Sequence, residues 1–190
     1  MTELFNKDSA HGPRTAIIDD SGIYSYTQIF EMSGRIASAL LEGGADLKER
    51  RIAFMVGAGH AYPSVMLGIW LAGGIAVPLC TTHPEPELAH VIDNSGAAVI
   101  LSDDVHFPLL ENISARGGRK LVRVGDALKS RLRDLPQIGL DRRAMIIYTS
   151  GTTSRPKGVV SAHGTIQAQI LSLVKPWEWS ADDFILNVLP

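Results

Sequence analysis

The segment from residue 148 to residue 158 brings together the residue types that bind phosphate. It reads Tyr-Thr-Ser-Gly-Thr-Thr-Ser-Arg-Pro-Lys-Gly, so hydroxyl groups and glycines precede a lysine. Hydroxyl and backbone N–H groups donate hydrogen bonds to phosphate oxygens, glycine lets the main chain approach closely, and lysine adds positive charge. The apolar run 144–148 predicts a buried strand before the segment, and Val159 and Val160 resume an extended pattern after it.

The sequence therefore predicts a phosphate-binding loop between two strands. The candidate binding residues are Thr149, Ser150, Gly151, Thr152, Thr153, Ser154, Arg155, Pro156 and Lys157.

The order Pro156-Lys157-Gly158 separates this loop from the P-loop of kinases and GTPases. That pattern needs glycine before the lysine and serine or threonine after it, at the start of a helix. Pro156 disfavours helical geometry at Arg155, so the chain should leave the loop in an extended direction. An unrelated nucleotide-dependent kinase is therefore disfavoured. The other alternative is a polar hairpin turn without a ligand, but the length and order of this motif favour the phosphate loop.

Residues 149–158 resemble the signature Thr-Ser-Gly-Thr-Thr-Gly-x-Pro-Lys-Gly of the adenylate-forming superfamily, and differ from it at Ser154. This superfamily comprises acyl-CoA synthetases, firefly luciferases and the adenylation domains of peptide synthetases. Two weaker motifs occur upstream in the expected order. Residues 24–29 are similar to the early S-Y-x-x-L segment, and residues 71–79 to the A-G-x-x-x-V-P-L segment. The resemblance extends from about residue 14 to the last residue.

The resemblance implies the reaction and its ligands. Members of the superfamily convert ATP and a carboxylic acid into an acyl adenylate and pyrophosphate, and most then transfer the acyl group to a thiol such as CoA. The implied cofactors are ATP, Mg²⁺ and CoA, and the implied substrate is a small carboxylic acid. Carried over by position, 149–157 would contact the triphosphate, with Thr149 as a partner of Mg²⁺. Serine at position 154 should weaken this contact without abolishing it, because the family has glycine there.

A malonyl-CoA synthetase-like branch of the acyl-CoA synthetases is the subfamily that the chain resembles. The resemblance lies in residues 177–186, Trp-Glu-Trp-Ser-Ala-Asp-Asp-Phe-Ile-Leu, which follow Ser-Ala-His at 161–163. The family residues that would recognise a dicarboxylate have no counterpart in these 190 residues, so malonate does not follow from the sequence.

Residues 1–190 are expected to form a partial N-terminal AMP-binding domain, with the phosphate loop at 149–158 and without the C-terminal domain of the family. The family's substrate pocket, its Mg²⁺ glutamate, its ribose-binding aspartate and its catalytic lysine are also expected to be missing. We therefore expect an N-terminal fragment of an ATP-dependent acyl-CoA synthetase, or of a related fatty-acid-activating ligase, that is inactive alone. The alternative is a non-catalytic binding or regulatory fragment that pairs with a full-length relative through unpaired sheet edges.

Composition excludes several other classes of protein. Eighteen Lys and Arg against twenty Asp and Glu give a net charge of −2, which favours neither nucleic acid nor a membrane surface as partner. Basic residues cluster between 116 and 143, as a solvated helix and loop or as a patch that steers ATP and CoA phosphates. One cysteine, Cys80, excludes an intramolecular disulfide and is expected to be buried. The six histidines lack metal-site spacing and are expected at the surface or at helix caps.

The chain carries no predicted targeting or membrane segment. Acidic residues near the N-terminus argue against a signal peptide and an intact transit segment, so the predicted location is cytoplasmic, with a mitochondrial location as the alternative. Residues 52–84 contain no Asp, Glu, Lys or Arg, but glycines and prolines interrupt the run. It is therefore predicted as a packed strand, helix and strand rather than a transmembrane helix.

Alternating strand and helix patterns predict an α/β fold, layered, with a mostly parallel sheet flanked by helices, as in the N-terminal part of the large domain of an adenylate-forming enzyme. A β-hairpin is predicted at 15–26 and a helix begins near Thr27. Further strands are predicted at 52–56, 75–79, 97–101, 121–124 and 184–189, and further helices at 62–72, 85–92, 107–115 and 165–174.

Overall fold

A computed structural model describes residues 12–149 and 156–187 of the chain. The strands are β1 (Thr15–Asp19), β2 (Gly22–Ser25), β3 (Arg51–Met55), β4 (Ile75–Pro78), β5 (Val99–Ser102), β6 (Lys120–Arg123), β7 (Arg143–Thr149) and β8 (Lys157–Ala162). The helices are α1 (Tyr26–Leu41), α2 (Ala61–Leu71), α3 (Glu85–Ser95), α4 (Phe107–Arg116), α5 (Val124–Ala127) and α6 (His163–Val174). The predicted α/β fold is therefore confirmed.

The strands form two sheets. β1 and β2 make a separate antiparallel hairpin, as predicted. The other strands form a six-stranded sheet in the order β6-β5-β3-β4-β7-β8. All neighbours in this sheet are parallel except β7 and β8, which are antiparallel, so the sheet is mostly parallel, as predicted.

Helices cover the two faces of the large sheet because its central strands are apolar on both sides. In β3, Ile52 and Phe54 pack in one core with side chains of α1, α2 and α5. The alternate residues Ala53 and Met55 pack in the other core with side chains of α3 and α4. The loops after β3 and β4 therefore leave toward opposite faces of the sheet, the arrangement at which open α/β sheets form ligand crevices.

Helix α1 has its N-cap two residues before Thr27, near which the sequence predicts that the helix begins. Ser25 is the N-cap: its hydroxyl accepts from the N–H of Gln28, and the Gln28 side chain accepts from the N–H of Ser25. This reciprocal pair is a capping box, a motif that satisfies two otherwise unpaired donors. Thr27 instead donates its hydroxyl proton to the carbonyl of Gly12. The helix therefore begins within one residue of its predicted start, but its cap is Ser25 rather than Thr27, as the Ser-x-x-Gln pattern indicates.

The strand predicted at 184–189 is not formed in its described part. Residues 184–187 are irregular, and Phe184, Ile185 and Leu186 expose most of their side-chain surface. A strand requires a neighbour for its hydrogen bonds, and none of the described strands pairs with this stretch. The stretch is apolar, as a strand would be, but no described strand lies beside it to form the hydrogen bonds.

Among the described residues, no helix is both long and apolar enough to cross a bilayer.

Candidate phosphate-binding site

The candidate loop connects the two antiparallel strands of a hairpin. In the β7–β8 ladder Tyr148 lies opposite Gly158, and Thr149 lies opposite Lys157. Residues directly opposite each other in an antiparallel pair point to the same face of the sheet. Thr149 and Lys157 therefore close the loop side by side, and the strands predicted on either side of it are both present.

Six candidate residues lie outside the described part of the chain. They are Ser150, Gly151, Thr152, Thr153, Ser154 and Arg155. Their proposed contacts with phosphate, and the effect of serine at position 154, remain predictions.

Thr149 and Lys157 place a hydroxyl and an ammonium group at the end of the hairpin. Both residues are exposed, and neither side chain has a hydrogen-bond or ion-pair partner among the described residues. A hydroxyl donor and an ammonium group held side by side suit an anion with several oxygens. The two described ends of the loop therefore fit the phosphate chemistry that the sequence predicts.

Helix α3 supports the end of the β7–β8 hairpin that lies next to the loop. Tyr148 donates its phenolic proton to Asn94 Oδ1 at 2.7 Å, and His90 Nε2 donates to the carbonyl of Pro156 at 3.2 Å. Burial raises the pKa of Tyr148, so the phenol stays a donor at neutral pH. Gly158 packs closely against β7: a Cβ there would lie 2.8 Å from Cγ2 of Ile146 and 3.1 Å from Cζ of Tyr148. These contacts fix where the loop leaves the sheet.

The loop emerges at the edge of the sheet where all the parallel strands end. Ligands of open α/β proteins bind outside this carboxyl edge. Asp103, directly after β5, accepts from the backbone N–H of Gly57 after β3 at 2.8 Å. It also accepts from the N–H of His106 at 2.9 Å and from His106 Nδ1 at 2.7 Å. Burial raises the pKa of Asp103, but the hydrogen bonds from His106 and Gly57 outweigh burial and hold it below its usual range.

A second carboxylate, Asp19, joins the small hairpin to the same edge. Its Oδ2 accepts from the N–H and Nδ1 of His60, each at 2.8 Å, while its Oδ1 accepts from the Ser21 hydroxyl. The Ser21 hydroxyl and then the His60 N–H hold the pKa of Asp19 well below its usual range. Gly59 is required here, because its φ is +123° and a Cβ would lie 2.5 Å from Asp19.

Sequence reasoning missed both carboxylate networks. Asp103 lies three residues before His106, within reach of a local bond from an aspartate side chain to a backbone N–H, and that spacing could have identified this contact. No local signal connects Asp19 with His60, since 41 residues separate them.

Two single-residue predictions are wrong. Cys80 is exposed rather than buried, because the chain leaves the sheet just after buried Leu79, and its Sγ lies 3.2 Å from the hydroxyl of Thr82. His163 is buried rather than superficial, with its ring edge-on to Trp70 at 5.4 Å. Its Nε2 has no hydrogen-bond partner among the described residues, and burial lowers its pKa to about 4.

The basic segment 116–143 is largely neutralised by carboxylates within reach. A solvated helix and loop is therefore favoured over a patch that steers phosphates, because most of these positive charges already have a carboxylate partner. The ion pairs are Arg116–Glu85, Arg119–Asp93, Lys120–Glu42, Arg123–Asp104, Lys129–Asp126, Arg142–Asp46 and Arg143–Glu49.

A model of the AMP-binding enzyme family matches residues 4–190. The chain belongs to this family. It is 35% identical to the mitochondrial malonate–CoA ligase of Bos taurus, over 98% of this chain and 34% of that protein. It is 32% identical to the malonate–CoA ligase of Arabidopsis thaliana, over 98% of this chain and 35% of that protein.

A solved structure agrees with these relatives. The fold is similar to ATP-bound MatB from Rhodopseudomonas palustris, with a TM-score of 0.84, 26% identity, and coverage of 95% of this chain and 38% of that chain. The resemblance to adenylate-forming enzymes of the malonyl-CoA synthetase branch is therefore confirmed. The chain spans about a third of the length of the curated relatives that it matches.

Proposed function

We propose that this chain is the N-terminal portion of an ATP-dependent acyl-CoA synthetase and supplies the site for the β- and γ-phosphates of ATP. The observation that carries the proposal is the pairing of Thr149 with Lys157 at the exposed end of the β7–β8 hairpin. The family membership, the malonate–CoA ligase relatives and the ATP-bound structural neighbour support it.

The proposed reaction begins when a substrate carboxylate attacks the α-phosphorus of ATP. The bond between the α-phosphorus and the bridging oxygen breaks, and negative charge accumulates on the departing pyrophosphate. Lys157 and the loop hydroxyls would stabilise that charge, and one preorganised donor of this kind contributes about 3 kcal/mol to the transition state. Mg²⁺, held by phosphate oxygens and the Thr149 hydroxyl, would supply further charge neutralisation. The acyl adenylate would then pass its acyl group to the thiol of CoA.

Malonate is the substrate that the relatives favour, since several of them are named as malonate–CoA ligases. Other small acids or fatty acids are also possible substrates, because this chain spans only about a third of the length of its relatives. The proposed location is the cytoplasm, and the mitochondrial name of the mammalian relatives makes the mitochondrion the alternative.

A non-catalytic role is the second candidate. In this case the chain would bind a full-length relative through an uncovered sheet edge and regulate it. The observation that favours this role is the outer edge of β8, which has no neighbour among the described strands.

The phosphate site can be tested by binding, without requiring turnover. We expect the purified chain to bind pyrophosphate, and Lys157→Ala to weaken that binding about tenfold, because a charge-assisted contact is lost. Calorimetric titration with pyrophosphate measures both affinities. Lys175→Ala is the matched control: it removes the same charge from another exposed lysine, in the turn after α6, and should leave the affinity unchanged. Equal affinities for the parent chain and Lys157→Ala would contradict the proposed site.

A further inference from the structure

Pro156 is the residue through which the chain enters β8 and reaches Lys157. The proline ring holds φ at about −65° and removes the N–H, so the carbonyl is the one backbone group of this residue that can form a hydrogen bond. Because peptide bonds are planar, ψ is the one soft backbone dihedral left at Pro156. The direction in which Lys157 begins therefore depends on the orientation of the Pro156 carbonyl.

A side chain from outside the hairpin holds that carbonyl. Nε2 of His90, on α3, lies 3.2 Å from the carbonyl oxygen of Pro156, and the contact joins residues 66 positions apart. A carbonyl oxygen only accepts a hydrogen bond, so Nε2 must carry the proton. The neutral tautomer with its proton on Nε2 and the charged imidazolium both meet this requirement. The bond therefore forms in either charge state of the ring.

Asn94 adds a second contact from the same face of α3. It follows His90 by four residues, the spacing that brings two side chains together on the surface of a helix. Its Oδ1 accepts from the hydroxyl of Tyr148 at 2.7 Å. Since Tyr148 precedes the candidate loop and Pro156 follows it, α3 holds the chain on both sides of the loop.

We propose that His90 is a positioning residue for Lys157: by fixing the Pro156 carbonyl, it sets the direction of the lysine before a ligand binds. The consequence for phosphate affinity rests on the proposed function, whereas the orientation of Lys157 does not. A group that is oriented in advance loses less conformational freedom on binding. His90 thus raises the affinity of the candidate site without being a proposed ligand.

Two substitutions at position 90 separate the hydrogen bond from the rest of the side chain. In His90→Gln the amide nitrogen can take the place of Nε2 and donate the same bond, whereas the amide of His90→Asn is one methylene shorter and does not reach the carbonyl. NMR order parameters of the Lys157 N–H, measured without ligand, report the result. We expect about 0.85, the value of rigid backbone, in the parent chain and in His90→Gln, and a clearly lower value in His90→Asn.

Equal order parameters in all three chains would overturn the proposal. They would show that the ladder with Thr149 is sufficient to orient Lys157. A low value in His90→Gln as well as in His90→Asn would equally exclude the hydrogen bond as the cause.

Calorimetric titration with pyrophosphate measures the consequence for binding. His90→Asn should weaken the affinity about threefold, and His90→Gln should restore the parent value. The loss should disappear in a Lys157→Ala background, because His90 acts through that lysine and the two effects are then not additive. A loss of the same size in both backgrounds, or equal affinities in all the position-90 variants, would contradict the proposed coupling.

The two measurements distinguish a failure of this inference from a failure of the proposed function. A parent chain that binds no pyrophosphate, but shows the expected order parameters, would refute the phosphate site and leave His90 as the residue that orients Lys157. A parent chain that binds pyrophosphate, with order parameters and affinities unchanged by His90→Asn, would keep the phosphate site and refute the role of His90.

Discussion

His163 lies where β8 passes into α6, and its side chain is buried beside Trp70. Its Nε2 has no partner among the described residues, so a charged imidazole would be poorly solvated there. Burial is the main cause that lowers its pKa to about 4, from an ordinary value of 6.5, and the charge of Arg142 acts in the same direction. A single residue thus makes the stability of the fold depend on pH.

This histidine predicts acid sensitivity in a defined window. Between pH 6.5 and about pH 4 the unfolded chain binds a proton that the folded chain does not. The free energy of unfolding is therefore not reduced by this histidine above pH 6.5. It falls by up to about 3 kcal/mol as the pH approaches 4. His163→Phe should remove this step from a plot of unfolding free energy against pH, measured by urea titration.

The control for this prediction is His83→Phe, at a partly exposed histidine that pairs with Glu87. It should retain the step. Carboxyl groups with lowered pKa values lose their contribution below the ordinary value of 3.8 for an aspartate such as Asp19 and of 4.5 for a glutamate such as Glu49, so they act only at the acid end of this window. An unchanged acid limb in His163→Phe would show that the buried imidazole is not the cause.

At the scale of elements, the hairpin that carries the candidate loop depends on α3. The helix reaches β7 through Asn94 and the end of the loop through His90. Both contacts join residues more than fifty positions apart in the chain, 54 and 66 respectively. Helix α3 therefore positions the candidate phosphate site without contributing a proposed ligand.

Tyr148→Phe tests this support. Loss of the hydrogen bond to Asn94 should lower the unfolding free energy by about 1 kcal/mol. Because the end of the hairpin next to the loop would be less well fixed, the affinity for pyrophosphate should also fall, by about two- to threefold. Thermal unfolding and calorimetric titration measure the two effects. Tyr62→Phe is the control, because the Tyr62 hydroxyl has no hydrogen-bond partner among the described residues, and both quantities should stay unchanged. A parent-like Tyr148→Phe would mean that packing alone positions the hairpin.

At the scale of the whole molecule, the fold places the candidate loop and two carboxylate networks at the carboxyl edge of the sheet. The loop after β7, the Asp103 network after β5 and the Asp19 network of the small hairpin lie on loops that leave this edge or pack against them. The chain nevertheless matches only about a third of the length of its curated relatives. A phosphate site is one of several contacts that an adenylating enzyme needs for its nucleotide, along with those for ribose and adenine.

We therefore expect the pure chain to bind pyrophosphate but not to catalyse the release of pyrophosphate from ATP. Incubation with ATP, Mg²⁺ and a panel of short carboxylic acids that includes malonate should release no pyrophosphate above the enzyme-free rate in a coupled assay. A full-length malonate–CoA ligase is the positive control. Pyrophosphate release that Lys157→Ala abolishes would reveal a complete catalytic site and disprove the expected inactivity.

The sequence by itself determined the class of fold and the family to which the chain belongs. Apolar runs such as 52–56 predict buried strands because local patterning reflects which faces must leave water. The motif at 149–158 indicated the family that the match over residues 4–190 shows, because a run of consecutive residues can be recognised without any distant contact. These features depend on neighbours along the chain, so they can be read without coordinates.

Only the tertiary structure decided the strand order, the exposure of Cys80, the burial of His163 and the absence of a strand at 184–187. Each of these depends on which distant segment lies beside the residue. Trp70 packs against His163 across more than ninety positions, and Asp19 reaches His60 across 41. Burial and pairing are set by such non-local contacts, which a local pattern does not encode.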